Sequence, residues 1–262
     1  MKLESLLEVL AAFHLTSFVE SPMKDRGGIA IVAPPGSLKS SIIISCLGDY
    51  SDTLSLSDID AKTLNALTPD FETGRYHTLA LPDFEKIYQR NPATAANAEG
   101  VIAALVAQGR TEASYDDHRT LGLATARAAV VLGMVPSVVK RRVTEWLDNG
   151  FARRFLWVNF QLANSRAIVD AIHNWSRIQF DDNIAVQLPS KKGIPNMEVT
   201  PAESRRLEVM IKAQYDLSIP LLIMRRILVV LKWKYRDDTK KPMMILSDFA
   251  ESLGKNRAKL DI

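Results

Sequence analysis

Residues 29–47 constrain the fold more than any other stretch of the chain. An apolar run, Ile29-Ala30-Ile31-Val32-Ala33, is long enough for a strand buried on both faces. Residues 40–47 resume with small and apolar side chains that a helix can carry. Between them lies Pro34-Pro35-Gly36-Ser37-Leu38-Lys39-Ser40, so a buried strand passes into a helix through one short loop. That unit belongs to parallel sheets, and the free amides of such a helix start favour an anion.

Set against the phosphate-loop pattern G-x-x-x-x-G-K-[ST], residues 33–40 read A-P-P-G-S-L-K-S, with both framing glycines absent. The groups that meet charge are kept: Lys39 to neutralise outer phosphates and Ser40 to hold magnesium. Pro35 and its neighbour stiffen the entry, while Gly36 lets the backbone come close to a ligand. Pro35, Gly36, Ser37, Leu38, Lys39 and Ser40 are therefore the expected nucleotide-binding residues. Leu38 is the weak position, because a positive φ there costs a leucine about 1 kcal/mol or more. The alternative is a plain strand-to-helix turn with an exposed lysine.

Asp83 and Glu85 follow another apolar run, residues 78–81, where a parallel strand delivers side chains to the edge at which ligands bind. An aspartate there can hold Mg2+ through water, and a glutamate can polarise an attacking water. Asp83 is the expected metal residue and Glu85 the expected base; a helix N-cap is the alternative for Asp83. Asp58 and Asp60, after a strand expected at residues 53–57, compete for the same role. His14, His77, His118 and His173 are scattered without metal spacing and read as structural.

Further along, residues 93–108 are rich in alanine and read as a helix stopped by Gly109. Residues 128–132 read as a strand, and Gly133 and Pro136 then lead to a helix over 138–147. Alternation of this kind predicts a mainly parallel α/β sheet. Residues 188–201, with three prolines and Lys191-Lys192, read as a linker to helices over 201–215 and 220–235 and a short one from Ser247. The expected division is a phosphate-loop ATPase core over residues 1–186, opened by an amphipathic helix, and a C-terminal helical subdomain over 187–262, open to a winged-helix-like arrangement.

The order of these features over residues 27–158 resembles the AAA+ ATPases of the P-loop NTPase class, and is also similar to phage- and plasmid-type helicase ATPases. The likeness rests on the 35–40 loop, the strand ending in Asp83-Phe84-Glu85 and a helix-to-hairpin passage at 101–110. The strand at 128–132, the turn through Ser137 and Gly150-Phe151-Ala152-Arg153-Arg154-Phe155 complete it. The resemblance implies a homo-oligomeric ring, commonly a hexamer, with ATP and Mg2+ between neighbours. Ser137 resembles the polar sensor of the γ-phosphate, and Arg154 or Arg153 the finger that reaches a neighbour's nucleotide. Ser137 has a helix N-cap as its alternative, and the arginines a solvated helix end.

The expected activity is ATP hydrolysis coupled to movement on DNA or RNA, against two rivals: a protein-remodelling ATPase and a non-hydrolysing assembly scaffold. Net charge is only +3, from 33 basic and 30 acidic side chains, so any grip on nucleic acid has to be local. Lys140-Arg141-Arg142 and Lys232-Trp233-Lys234-Tyr235-Arg236 are the candidates, the second with a solvated helix end as its alternative; the segment 110–119, containing Tyr115 and His118, reads as a pore hairpin or a surface loop. A single cysteine, Cys46, excludes intramolecular disulfides and fits a cytoplasmic setting. The apolar stretch 219–231 is interrupted by Arg225-Arg226 and too short to span a bilayer, so no membrane partner is expected.

Overall fold

The computed structural model describes residues 3–19, 26–48, 50–57, 59–89, 91–106, 126–160, 169, 194–195 and 197–253. In chain order the first elements are α1 (Leu3–Leu15), β1 (Gly28–Val32), α2 (Lys39–Leu47), β2 (Thr53–Ser55), α3 (Ala61–Ala66), α4 (Thr68–Glu72) and β3 (Thr78–Leu81). A 3-10 turn at Phe84–Gln89, α5 (Pro92–Val106), β4 (Ala129–Met134), α6 (Pro136–Asp148), a second turn at Ala152–Arg154 and β5 (Phe155–Asn159) follow. The chain then gives α7 (Pro201–Ile211), α8 (Ser218–Lys234) and α9 (Lys241–Ala250).

The five strands form one sheet in the order β2-β3-β4-β1-β5, every pair parallel. The expected parallel α/β fold is therefore found. β1 pairs on both sides: Ile31 stands beside Gly133 of β4 and beside Val158 of β5. All of its residues are buried, as the unbroken apolar run requires.

Each face of the sheet carries its own apolar cluster. Ile29, Ile31, Val131, Leu156 and Val158 pack with α1, α2, α8 and α9. Ala30, Val32, Leu79, Val130, Leu132, Phe155 and Trp157 pack with α5 and α6. The alternation along β1 is the period of two that sends neighbouring side chains to opposite faces. Right-handed crossovers explain the split: the step from β1 to β2 runs one way along the sheet and the steps from β2 to β5 run the other, so their helices fall on opposite faces.

Several expectations need correction. α1 is buried almost all round, with only Glu4 exposed, because α2, α8 and α9 enclose it; it is not an amphipathic surface helix. β2 stops at Ser55, and the helix expected from Ser247 begins at Lys241, whose next residue, Pro242, suits the first turn. α3, α4 and β5 had no counterpart among the expected elements. In the C-terminal part the regular elements among the described residues are helices, apart from the isolated bridge between Val19 and Ile194. The segment 110–119, Asp58, His118, His173 and residues 188–193 and 196 of the 188–201 stretch lie outside the described residues. Among those described, no helix is long and apolar enough to cross a membrane.

His14 ties α1 to the amino edge of the sheet. Its ring is fully buried, with Nδ1 at 2.9 Å from Thr78 Oγ1 and Nε2 at 3.4 Å from Asp52, and it stacks on Tyr50. Burial pushes its pKa down to about 4, against the pull of Asp52 and with help from nearby His77. The ring is thus neutral in the folded chain, whereas in the unfolded chain it takes a proton near pH 6.5. Stability is complete above that value and falls with pH toward 4, by about 1.4 kcal/mol per pH unit from this group. Urea unfolding at pH 6.5 and pH 5 should show this slope, and His14→Gln should remove most of it.

Candidate phosphate-binding site

β1 and β4 are neighbours, yet the helices that follow them lie on opposite faces: α2 packs in one apolar cluster and α6 in the other. A crevice opens beyond the carboxyl ends of two such strands, where ligands of open α/β sheets bind. The loop from Pro34 to Leu38 leaves β1 into this crevice. Ala33 continues the pairing through its amide to Met134 O (3.0 Å), and the Ser37 amide closes a turn on Pro34 O (3.2 Å).

Gly36 has φ +76° with open space where a side chain would stand. Leu38 is the only described non-glycine residue with positive φ, at 58° with ψ 21°. The strain foreseen for this position is real. Its offset is visible too, since the Leu38 side chain packs against the α1–α2 cluster. Lys39 and Ser40 then open α2, whose first amides face the crevice.

Five side chains from two distant segments meet here. Lys39, 7% exposed, places Nζ 2.8 Å from Glu85 Oε1. Ser40 donates to Asp83 Oδ1 at 2.5 Å, and Asp83 Oδ2 accepts from Lys86 Nζ at 2.9 Å. Burial alone would raise the Asp83 carboxyl. The Ser40 hydroxyl and Lys86, with Lys39 behind them, outweigh it and hold the group below its ordinary value. Asp83 spends its carboxylate on these side chains instead of on helix capping. Its rival Asp60 is an N-cap, accepting from the Thr63 amide at 2.7 Å.

β3 is not adjacent to β1, so the meeting needs Pro82 and Asp83 to lean across the end of β4. Gly133 makes room for them. A Cβ at Gly133 would lie 2.0 Å from Pro82 O and 3.3 Å from the Ile43 side chain. The sequence alone gave Gly133 only as punctuation; in the fold it sits inside β4 and decides whether the carboxylates reach α2.

Among the described residues no group of three or more His, Cys, Asp or Glu side chains could hold a metal alone. Ser40 Oγ and Asp83 do present adjacent hard oxygen donors, a set that fits Mg2+, whose remaining positions are filled by phosphate and water. Ser137 stands at the same edge, exposed, as the second residue of α6; Val135 is that helix's N-cap, so capping does not explain Ser137.

Arg153 and Arg154 are elsewhere. They precede β5 at its amino end, where Arg154 Nη1 donates to Gly150 O and the Arg153 guanidinium lies over Gly150. Since β5 runs beside β1 in register, about four residues of strand, or roughly 13 Å, separate them from the loop within one chain. Of the second basic cluster, Lys232 pairs with Glu203 (2.9 Å) and Lys234 with Glu8 (2.8 Å). Those two lysines are held by carboxylates of the chain itself. Lys140 and Arg141 are exposed on α6.

Gly133→Ala should push Pro82 away from β4 and break the Ser40–Asp83 contact. We expect a loss of about 1–3 kcal/mol in chemical unfolding, the range for overpacking a tight site. A neutral result would show that the approach over Gly133 is not needed. Compared with known proteins, the chain matches no family model, and curated proteins give no significant similarity to it.

Proposed function

We propose that the chain is an oligomeric P-loop ATPase of AAA+ type that binds Mg2+ and ATP at the end of β1 and acts on nucleic acid in the cytoplasm. One observation carries this reading: Lys39 and Ser40, at the start of a helix in the crevice, are each within hydrogen-bond distance of a carboxylate, Glu85 and Asp83. A cation, a hydroxyl, two acids and free helix amides are the parts that phosphoryl transfer needs, and catalysis there is mostly positioning and charge stabilisation.

In this reading the α2 amides and Lys39 take the β- and γ-phosphates, and Ser40 with Asp83 holds Mg2+. The metal would neutralise charge on the phosphate oxygens. Incoming phosphate competes with Glu85 for Lys39, so binding frees the Glu85 carboxylate to orient and polarise the attacking water. Ser137, at the edge of β4, faces the γ-phosphate side of the crevice. Arg154 or Arg153, at the amino end of β5 and so away from the loop of its own chain, serves a neighbouring subunit's site, which is why a ring is proposed. The exposed Lys140-Arg141 pair on α6 favours a polyanionic partner.

Lys39→Ala should abolish ATP binding while the fold is kept. Glu85→Gln should retain binding, tightened because Lys39 is released, and lose turnover. Titration with a fluorescent ATP analogue and a phosphate-release assay separate the two. Turnover that survives Glu85→Gln would exclude Glu85 as the base, and binding without turnover in the parent chain would favour the assembly scaffold.

Turnover per subunit should rise with protein concentration, and Arg154→Ala should lower it by about 10³-fold at unchanged ATP affinity. Mixing Arg154→Ala with Lys39→Ala subunits should restore part of it, since each supplies what the other lacks. No recovery in oligomers shown by sedimentation to be mixed excludes an arginine acting in trans.

A further inference from the structure

Glu99 is the one acid of the alanine-rich α5 and is 2% exposed. Its Oε1 takes hydrogen bonds from three donors on two elements: Tyr88 Oη at 2.7 Å from the turn that carries Glu85, and Trp146 Nε1 at 2.9 Å and Arg142 Nη2 at 3.1 Å from α6. Arg142 also lies over the Tyr88 ring, 5.3 Å from its centre. A carboxylate buried this deeply is costly unless it is engaged, and Oε1 takes all three donors while Oε2 is buried without a hydrogen-bond partner, so these three bonds fix the turn against α6.

The same place joins the two ends of the proposed ATP cycle. Phe84, between Asp83 and Glu85, stacks on Phe151, with ring centres 6.2 Å apart and planes at 12°. It also meets Tyr88 edge-on. Phe151 touches Trp146 and Phe155 and stands directly before Ala152-Arg153-Arg154. Movement of Asp83 and Glu85 thus reaches the arginines through one aromatic contact, clamped by Glu99.

We infer that Glu99 is a positioning residue that couples nucleotide occupancy of the Lys39 loop to the placement of Arg153 and Arg154. The inference rests on the ATPase reading and adds to it a route by which one subunit's site sets the finger it offers its neighbour. α6 and the turn are packed side by side, so a shift of Glu85 toward or away from Lys39 is carried by Tyr88 to Glu99 and by Phe84 to Phe151. The ends move together because the aromatic cluster is close-packed and has no slack to absorb the motion.

Two variants of the full chain test it. Tyr88→Phe cuts the turn from Glu99 and leaves Trp146 and Arg142 bound. Glu99→Gln keeps an acceptor oxygen but removes the charge facing Arg142, which still has Glu145 at 2.5 Å. Hydrogen exchange is followed with and without Mg2+ and ATP at the amides of residues 38–42 and 151–155, beside steady-state turnover. In the parent chain both segments should respond. In the variants the loop should respond as before and the 151–155 segment should not, with kcat lowered about tenfold to 10²-fold and KM within twofold. If Glu99→Gln fails to fold, Tyr88→Phe alone decides. A distal response retained in the variants, or missing in a parent whose loop does respond, overturns the coupling. A parent whose loop ignores ATP and shows no turnover overturns the ATPase reading, and the coupling with it.

Discussion

β1 has no exposed residue and no free edge, and the remaining architecture follows from that confinement. A strand hydrogen-bonded on both sides and apolar on both faces has to be covered by two helical layers, which here are the α1–α2–α8–α9 and α5–α6 clusters. Its only exposed continuation is its carboxyl end. There the backbone emerges between helices diverging to opposite faces, with unpaired amides and no competing apolar cover. The location of the crevice is therefore a result of topology, and the side chains around it only determine what it holds.

Within the crevice, electrostatics are balanced before any ligand arrives. Lys39 is nearly buried, and a buried cation without a partner would cost several kcal/mol, so Glu85 serves as its stand-in anion. In the proposed ATPase a phosphate group would offer a stronger one, and the exchange would link ligand binding to release of the acid. Leu38 adds a second tension, a left-handed backbone costing about 1–2 kcal/mol that is partly offset by packing of its side chain. Glycine at that position would relax the backbone but lose the anchor between loop and core.

Much of this was legible in the sequence. The apolar run of β1, the Lys39-Ser40 pair and the acids after β3 could be placed because each is a local pattern with a fixed position relative to a strand end. Non-local features could not. β5 was not expected, since Gly150 to Phe155 entered only through its resemblance to an arginine-finger segment; it is a strand because β1 has an edge to fill. The close approach over Gly133 and the convergence on Glu99 depend on which strands are neighbours, and strand order is not written in any local window. A lone acid inside an alanine-rich helix was the available signal for Glu99. In the basic run 232–236 two lysines are committed to Glu203 and Glu8, far away in sequence, which no local window shows.

The enclosure of α1 has a consequence for how the chain acquires its structure. Glu8 meets Lys234 across 226 residues, and Ser5 meets Asp248 across 243. α1 thus leaves the ribosome well before the helices that cover it, and is among the last elements to find its native surroundings. At about 5–20 residues per second, translation leaves that apolar helix waiting on the order of 10–45 s for its covering partners. During that interval its leucines and Phe13 are exposed to other chains, and closing loops of that length slows the final docking step. The apolar cover of α1 therefore has to be completed late, and yield in a cell depends on what shields this helix until α8 and α9 have been made.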